Sequence, residues 1–329
     1  MLAPGERRYT FQKNAPVSRS RKDMITKLEQ LAEMAKSGTV QRIALAAAAD
    51  EDALLALDRA CAMGVAQGIL VGNPEEIRQT ATKCGISADK YAIVPAENDT
   101  KAALEAVSLV SSGQADLLMK GRLSTSVLLK AVLDKKVGLR TDRTLSHVAI
   151  AQLDGFDRLL FITDAAMNIL PTLDQKASII RNAADVARCL GLEKPRVAML
   201  SNTDRVEESN PQTTDAAVLS KMAERGQLGA VDFDGPMTLA SALSPERAIL
   251  AGVHTDVAGK ADILLVSHIE AGNVLYKGLV YFAGALVAGV LAGAKAPVIL
   301  TSRADSDEAK LYSIALGAVV AAKKCEVVG

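Results

Sequence analysis

Tryptophan is missing from this chain of 329 residues, and phenylalanine and tyrosine together number ten. So few rings leave little platform for stacking nucleobases. Neither sign of charge is in excess, because 38 Lys and Arg face 38 Asp and Glu. No global field therefore draws the chain to nucleic acid or to an anionic membrane. Cysteine is scarce and scattered at Cys61, Cys84, Cys189 and Cys325, with no CxxC pair. That excludes a disulfide framework and a zinc module, and suits reduced thiols in a cytoplasmic protein. His147, His254 and His268 form neither HxH nor HExxH, so no metal site is expected. No Gly-x-Gly, GxxxxGK[ST] or GxSxG occurs. The dinucleotide fingerprint, the P-loop and the hydrolase elbow are thus absent.

What is present is ample apolar material. Hydrophobic residues make up 49% of the chain, enough for a full core, and the length suggests about two domains. Residues 1–23, with six Arg and Lys among turn formers between Arg7 and Lys22, read as a solvated tail without an apolar leader core. Residues 278–294 carry no charge. The run is short for a membrane span of about 20 residues, and the reading is a buried or interface helix over 272–291. Its Gly284, Ala288, Gly289 and Gly293 would let another backbone come close.

Short apolar runs alternate with helical stretches along the chain. Strand-like segments fall at 42–49, 68–71, 91–94 and 116–119, with helical spacing between them and at 24–37 and 124–135. Asn73-Pro74 is a helix start. The rhythm changes near residue 143. Segments 147–153 and 158–163 flank Asp154-Gly155, the signature of a hairpin. Alternation then resumes, closing with a strand at 297–301 and a helix at 307–323. This is the pattern of α/β/α layers around mostly parallel sheets, and two such sheets fit the length. Ligands in such folds bind beyond the carboxyl ends of strands.

Five strand-to-helix junctions hold chemistry. Lys120-Gly121 ends a strand, and Ser124 and Thr125 open a helix, so cations, hydroxyls and helix NH groups converge as at an anion site; an ordinary capped helix reads the same way. Arg140, in Gly138-Leu139-Arg140-Thr141, offers a guanidinium suited to phosphate, or merely a charged turn. Thr163-Asp164, followed by small residues to Asn168, makes a site or a turn cap. Gly272-Asn273, with Lys277 one turn on, makes a close approach to a ligand or a plain N-cap. Ser302-Arg303 is followed by Asp305, Asp307 and Glu308. That stretch pairs an anion-binding Arg with a carboxylate base, or is a capping box from Asp305 to Glu308.

In this order the segments resemble the phosphate acetyl/butyryltransferase family. The pieces are ADLLMKG (115–121), GLRT (138–141), SHVA (146–149), TDAAMN (163–168), DILLV (262–266), AGNVLYK (271–277) and PVILTSR (297–303). The resemblance spans about residues 24–323, and the MKG and GLRT pieces look closer to the butyryl branch. It implies two α/β/α domains like those of isocitrate and isopropylmalate dehydrogenases. The first would hold residues 24–143 and be completed by a strand and helix in 296–329, with residues 144–295 inserted as the second. It implies a homodimer or higher homo-oligomer with its site in the interdomain cleft. The implied reaction is reversible acyl transfer between coenzyme A and inorganic phosphate, with short acyl groups such as butyryl or acetyl. Its substrates are acyl-CoA, phosphate and acyl phosphate, with no tightly bound cofactor, no metal and no nucleic acid or membrane partner. The thiolate would attack acyl phosphate directly. By the same resemblance Ser302 polarises the carbonyl, Arg303 holds phosphate and a carboxylate takes the thiol proton. A gap-free match puts Ala309 at the family's aspartate, so Asp307 stands in for it, with Asp305 second. Lys120, Gly121, Ser124, Thr125, Arg140, Thr163, Asp164, Asn168, Gly272, Asn273 and Lys277 would bind substrate.

Two other readings are an NAD-dependent decarboxylating 2-hydroxy acid dehydrogenase of related fold, and a non-catalytic sensor of acyl phosphate or coenzyme A.

Overall fold

The computed structural model describes residues 24–300 and 305–328, so the tail expected at 1–23 lies outside the described residues. Helix α1 (Glu29–Ser37) leads into β1 (Gln41–Ala46), α2 (Glu51–Ala62), β2 (Ala66–Gly72), α3 (Pro74–Lys83), β3 (Ala92–Pro95), α4 (Asp99–Ser111), β4 (Leu117–Lys120) and α5 (Thr125–Val132). The helices begin where the polar caps stand. Asp50 accepts from the Ala53 amide, Asn73 from Glu75 and Glu76, and Asn98 from Lys101, each satisfying donors that the first helical turn leaves open.

Next come β5 (Ser146–Gln152) and β6 (Leu160–Thr163), antiparallel as the Asp154-Gly155 turn requires. The remainder is α6 (Leu173–Cys189), β7 (Arg196–Leu200), α7 (Pro211–Glu224), β8 (Asp232–Met237), α8 (Leu239–Leu243), α9 (Pro245–Leu250), β9 (Ile263–Leu265), α10 (Ile269–Ala283), β10 (Leu286–Ala292), β11 (Val298–Ile299) and α11 (Asp307–Val328).

Two expectations are corrected here. The strands form one sheet, not two, in the order β3-β2-β1-β4-β11-β10-β5-β6-β9-β7-β8. The helix expected over 272–291 ends at Ala283, and the rest of the run is strand β10. The physical cause is Gly284, whose left-handed φ of 63° stops the helix. The small residues after it then pair with β5 along seven positions, from Leu286 with Gln152 to Ala292 with Ser146. An uncharged run has no periodicity that separates a helix from a buried strand. Nor is α10 buried; of its residues only Gly272 is.

β10 joins the sheet's two halves. It is antiparallel both to β11 and to β5, and β5 is antiparallel to β6. Strands β3, β2, β1, β4 and β11 are parallel to one another. Strands β6, β9, β7 and β8 form a second parallel block, which therefore runs opposite to the first. One face of the sheet is covered by α1, α2, α6, α7 and α11, whose Leu31, Leu54, Ile180, Leu219 and Ile314 share the largest core. The other face is covered by α4 and α5 over the first block and by α8, α9 and α10 over the second. No helix among the described residues is long and apolar enough to cross a membrane.

Candidate active site

The turn after β4 is built on the end of β1. The Gly121 amide donates to Ala46 O and the Arg122 amide to Ala47 O, each at 2.9 Å. Lys120 Nζ donates to the carbonyls of Gly121 (3.1 Å) and Leu123 (3.3 Å), so the cation is folded over its own turn. Ser124 caps α5, accepting from the Val127 amide and lying 3.0 Å from Ser126 Oγ. Thr125 is exposed on the first turn.

Helix α5 carries this neighbourhood to the next. Its Leu129, with Leu133 just past its end, forms one wall of a cleft of about 300 Å³, completed by Arg140, Thr141, Met167 and Asn168 among others. Arg140 is exposed and makes no hydrogen bond or ion pair with the described residues. Asn168 is tied down, its Nδ2 donating to Leu145 O (2.8 Å) and to Asp164 Oδ2 (2.6 Å). The cleft thus has an apolar wall and a cationic rim.

The loop behind it is organised by Asp164, which is buried. Its carboxylate accepts from the amides of Ala166 (2.9 Å), Met167 (3.0 Å) and Asn168 (3.2 Å). The turn-cap reading of Asp164 is therefore the structural one, and a carboxylate so fully engaged holds the loop. Thr163, also buried, donates its hydroxyl to His147 O at 2.9 Å. Gly272 explains how α10 approaches: a Cβ there would lie 2.8 Å from Ala165 Cα and from Asp164 O. The close approach expected at this glycine is to the chain's own loop. Asn273 is not the N-cap; His268 is, its side chain accepting from the Ala271 amide at 3.3 Å. Asn273 is exposed in the second turn. Lys277 Nζ stands over the rings of Tyr276 (5.3 Å) and Tyr281 (5.9 Å).

Ser302 and Arg303 lie outside the described residues. Of the acids that follow them, Asp307 has a side chain 87% exposed, with Lys310 Nζ at 3.9 Å. The capping box from Asp305 to Glu308 is absent, because Ser306 Oγ accepts from the Ala309 amide at 3.1 Å. Asp305 instead bears electrostatically on His147 and on Tyr276. Burial, then the Asp305 charge, pushes the Tyr276 hydroxyl up. In the sequence His147 is only a lone histidine in a strand. Here its ring stands edge-on to Tyr276 at 6.4 Å, and its Nδ1 is buried with no hydrogen-bond partner among the described residues. Burial lowers its pKa, against the opposing pull of Asp164 and Asp305. Only its tertiary surroundings single it out. No group of three or more His, Cys, Asp or Glu placed to hold a metal ion occurs among the described residues.

An α/β/α sheet with an anion-suited cleft beside its central strand reversal is the class these observations define. A family model described as "Phosphate acetyl/butaryl transferase" matches residues 26–105 and 95–318, and the chain belongs to that family. It is 47% identical over 301 residues to a phosphate butyryltransferase of Clostridium acetobutylicum, covering 92% of this chain and 100% of the relative. It is 43% identical over 296 residues to a phosphate acetyltransferase of Thermotoga maritima, covering 89% and 99%. Among solved structures, a branched-chain phosphotransacylase from Enterococcus faecalis superposes with a TM-score of 0.75 at 31% identity, covering 86% of this chain and 99% of that one.

Proposed function

We propose that this protein is a phosphate acyltransferase that moves a short acyl group reversibly between coenzyme A and inorganic phosphate. The family match over most of the chain carries the reading. The cleft supports it, because the exposed Arg140 stands at its rim and Leu129, Leu133 and Met167 supply apolar lining. A guanidinium suits phosphate, and the apolar wall suits an acyl chain. Coenzyme A is a substrate here, not a resident cofactor.

The thiolate of coenzyme A attacks the acyl carbon directly, and phosphate departs with the bonding pair. Ser302 polarises the carbonyl and Arg303 neutralises the phosphate, roles carried over from the resemblance. Donors preorganised toward the developing oxyanion supply the greater part of the rate enhancement in such reactions. Asp307, with Asp305 second, takes the thiol proton; Asp307 lies exposed at the start of α11, and Asp305 bears electrostatically on His147 and Tyr276. The halves divide as residues 24–143 with 296–329, and 144–295. The pairing of β11 with β4 supports this division. The molecule works in the cytoplasm as a homodimer or higher oligomer. Exposed Val274 (72%), Tyr281 (67%) and Phe282 (94%) on α10 offer the apolar surface for it.

The test is thiol release from butyryl-CoA and acetyl-CoA in the presence of phosphate, with acyl phosphate measured as the second product. Transfer is expected with the wild type, and a loss of at least about a hundredfold in turnover with Arg303→Ala, the scale of lost charge stabilisation. Absence of phosphate-dependent thiol release overturns the reading.

A further inference from the structure

Two guanidinium groups line the cleft, those of Arg140 and Arg143, and only the first has a part in the chemistry above. Arg143 is partly buried, its side chain 36% exposed. Its Nη1 is tied to the carboxylate of Asp185 on α6 and lies 3.5 Å from Asn182 Oδ1. Its Nε and Nη2 make no hydrogen bond with the described residues. The backbone beneath it is fixed. The Arg143 amide donates to Thr141 Oγ1 at 3.0 Å. Thr144, also in the lining, donates its amide to Ser178 Oγ (2.9 Å), and its carbonyl accepts from Asn182 Nδ2 (2.8 Å). Asn182 is itself buried and bonded to Ser146 Oγ at 2.9 Å. Gly293 closes against this segment, where a Cβ would lie 2.5 Å from Thr144 O.

We infer that Arg143 is a second phosphate-binding residue of this cleft, held in pose by Asp185 and Asn182, and that it grips one phosphate group together with Arg140. This rests on the acyl-transfer reading above. The lining does not oppose an anion, since no Asp or Glu is among the described residues that form it. Asp185 is shared between Arg143 and Arg188, so two guanidiniums face one carboxylate and the trio stays cationic. The bond to Asp185 occupies one terminal nitrogen and leaves the fork of Nε and Nη2. With the same two nitrogens Arg42 holds the carboxylate of Asp116 and Arg196 that of Asp262, and that fork suits two oxygens of one phosphate equally. An ion pair so exposed adds little stability. Its effect is to restrict the rotamers of Arg143 before a ligand arrives, which lowers the cost of binding. Arg140, exposed and without partners among the described residues, completes the grip from the rim. The phosphate group is that of the transferred phosphate or one carried by coenzyme A, and the chemistry that recognises it is the same.

The test uses the full-length protein with Arg143→Gln, Arg143→Lys and Asp185→Asn, folding being checked by circular dichroism and thermal melting. Arg143→Gln is expected to raise KM for a phosphate-bearing substrate about tenfold or more, the scale of a lost charge-assisted hydrogen bond, with kcat changing less. Arg143→Lys, which keeps the charge without the fork, is expected to recover part of the loss. A rise in KM for inorganic phosphate, measured against acyl-CoA, places the transferred phosphate on the pair of arginines. A rise in KM for coenzyme A, measured against acyl phosphate, places a phosphate of coenzyme A there. Asp185→Asn keeps an oxygen for Nη1 and removes a negative charge, so it is expected to leave that KM unchanged or lower. Arg143→Gln with every KM unchanged overturns the inference. So do Arg143→Gln and Asp185→Asn that raise KM alike and melt alike, which marks a pair that only braces the segment against α6. Calorimetric titration with inorganic phosphate and with coenzyme A reads the same binding without turnover. If the wild type binds them and transfers no acyl group, it is the functional reading that fails.

Discussion

Gly272 and Ala165 are in backbone contact: the first turn of α10 sits so close to the Asp164 loop that a methyl group on residue 272 would come within 2.8 Å of Ala165 Cα. The obstructing atoms also include Asp164 O, which belongs to a backbone pinned by three amide-to-carboxylate bonds. Gly272→Ala therefore runs into backbone, and into the stiff β-branched side chain of Val266 at the same 2.8 Å. It is expected to cost about 1–3 kcal/mol, the range for overpacking, and to displace Met167 and Asn168 at the cleft. Urea denaturation should show the loss of stability, and kcat/KM for acyl-CoA should fall with it. An unchanged midpoint and unchanged kinetics would contradict the contact.

Acyl selectivity should follow the cleft. Each buried methylene is worth about 0.8 kcal/mol, so butyryl over acetyl amounts to a preference of about fifteenfold in kcat/KM. Met167 lines the cleft with Leu129 and Leu133. Met167→Phe fills space there and should shift the ratio toward acetyl by roughly the same factor. The measurement is kcat/KM for acetyl-, propionyl- and butyryl-CoA at saturating phosphate. An acetyl preference in the wild type would place the activity with the acetyl branch.

No protein thiol should enter the reaction. Burial pushes the Cys61 thiol up, and burial likewise raises Cys84, so both stay protonated and unreactive at neutral pH. Replacing Cys61, Cys84 and Cys189 together with Ser should leave kcat within about fivefold, equivalent to no more than about 1 kcal/mol. Intact-protein mass spectrometry after incubation with acyl-CoA should show no added acyl mass. A stable acyl adduct on any of the three would refute direct transfer.

Sequence reasoning reaches the features that local chemistry governs. Asn73 with Pro74, the Asp154-Gly155 hairpin and the alternating elements all stand where short-range patterns put them. It fails where small uncharged residues serve either structure. Gly284 is visible among the close-packing residues of 278–294, yet its part as a left-handed helix stop depends on β5 being there to receive Leu286–Ala292. The site divides in the same way. Lys120, Arg140 and Asn168 stand out by their residue types, and Arg140 and Asn168 meet at one cleft. Asp164 stands out too, though its oxygens turn inward to its own loop. That His147 meets Tyr276, and that Asp305 bears on both, depends on tertiary contacts that no local pattern carries.

The middle of the sheet has a consequence for how the chain folds. Strand β11 follows all the other described strands in sequence, yet it lies between β4 and β10, pairing Val298 with Leu118 and with Leu291. The loop closed by Leu118 and Val298 holds every strand from β5 to β10. Contacts so remote in sequence slow folding, since closure entropy precedes the reward. Until β11 arrives, β4 and β10 each present an unpaired edge, and open edges recruit other chains. A ribosome pausing between β10 and β11 would thus leave two adhesive strand edges open at once, an interval in which a nascent chain needs a chaperone.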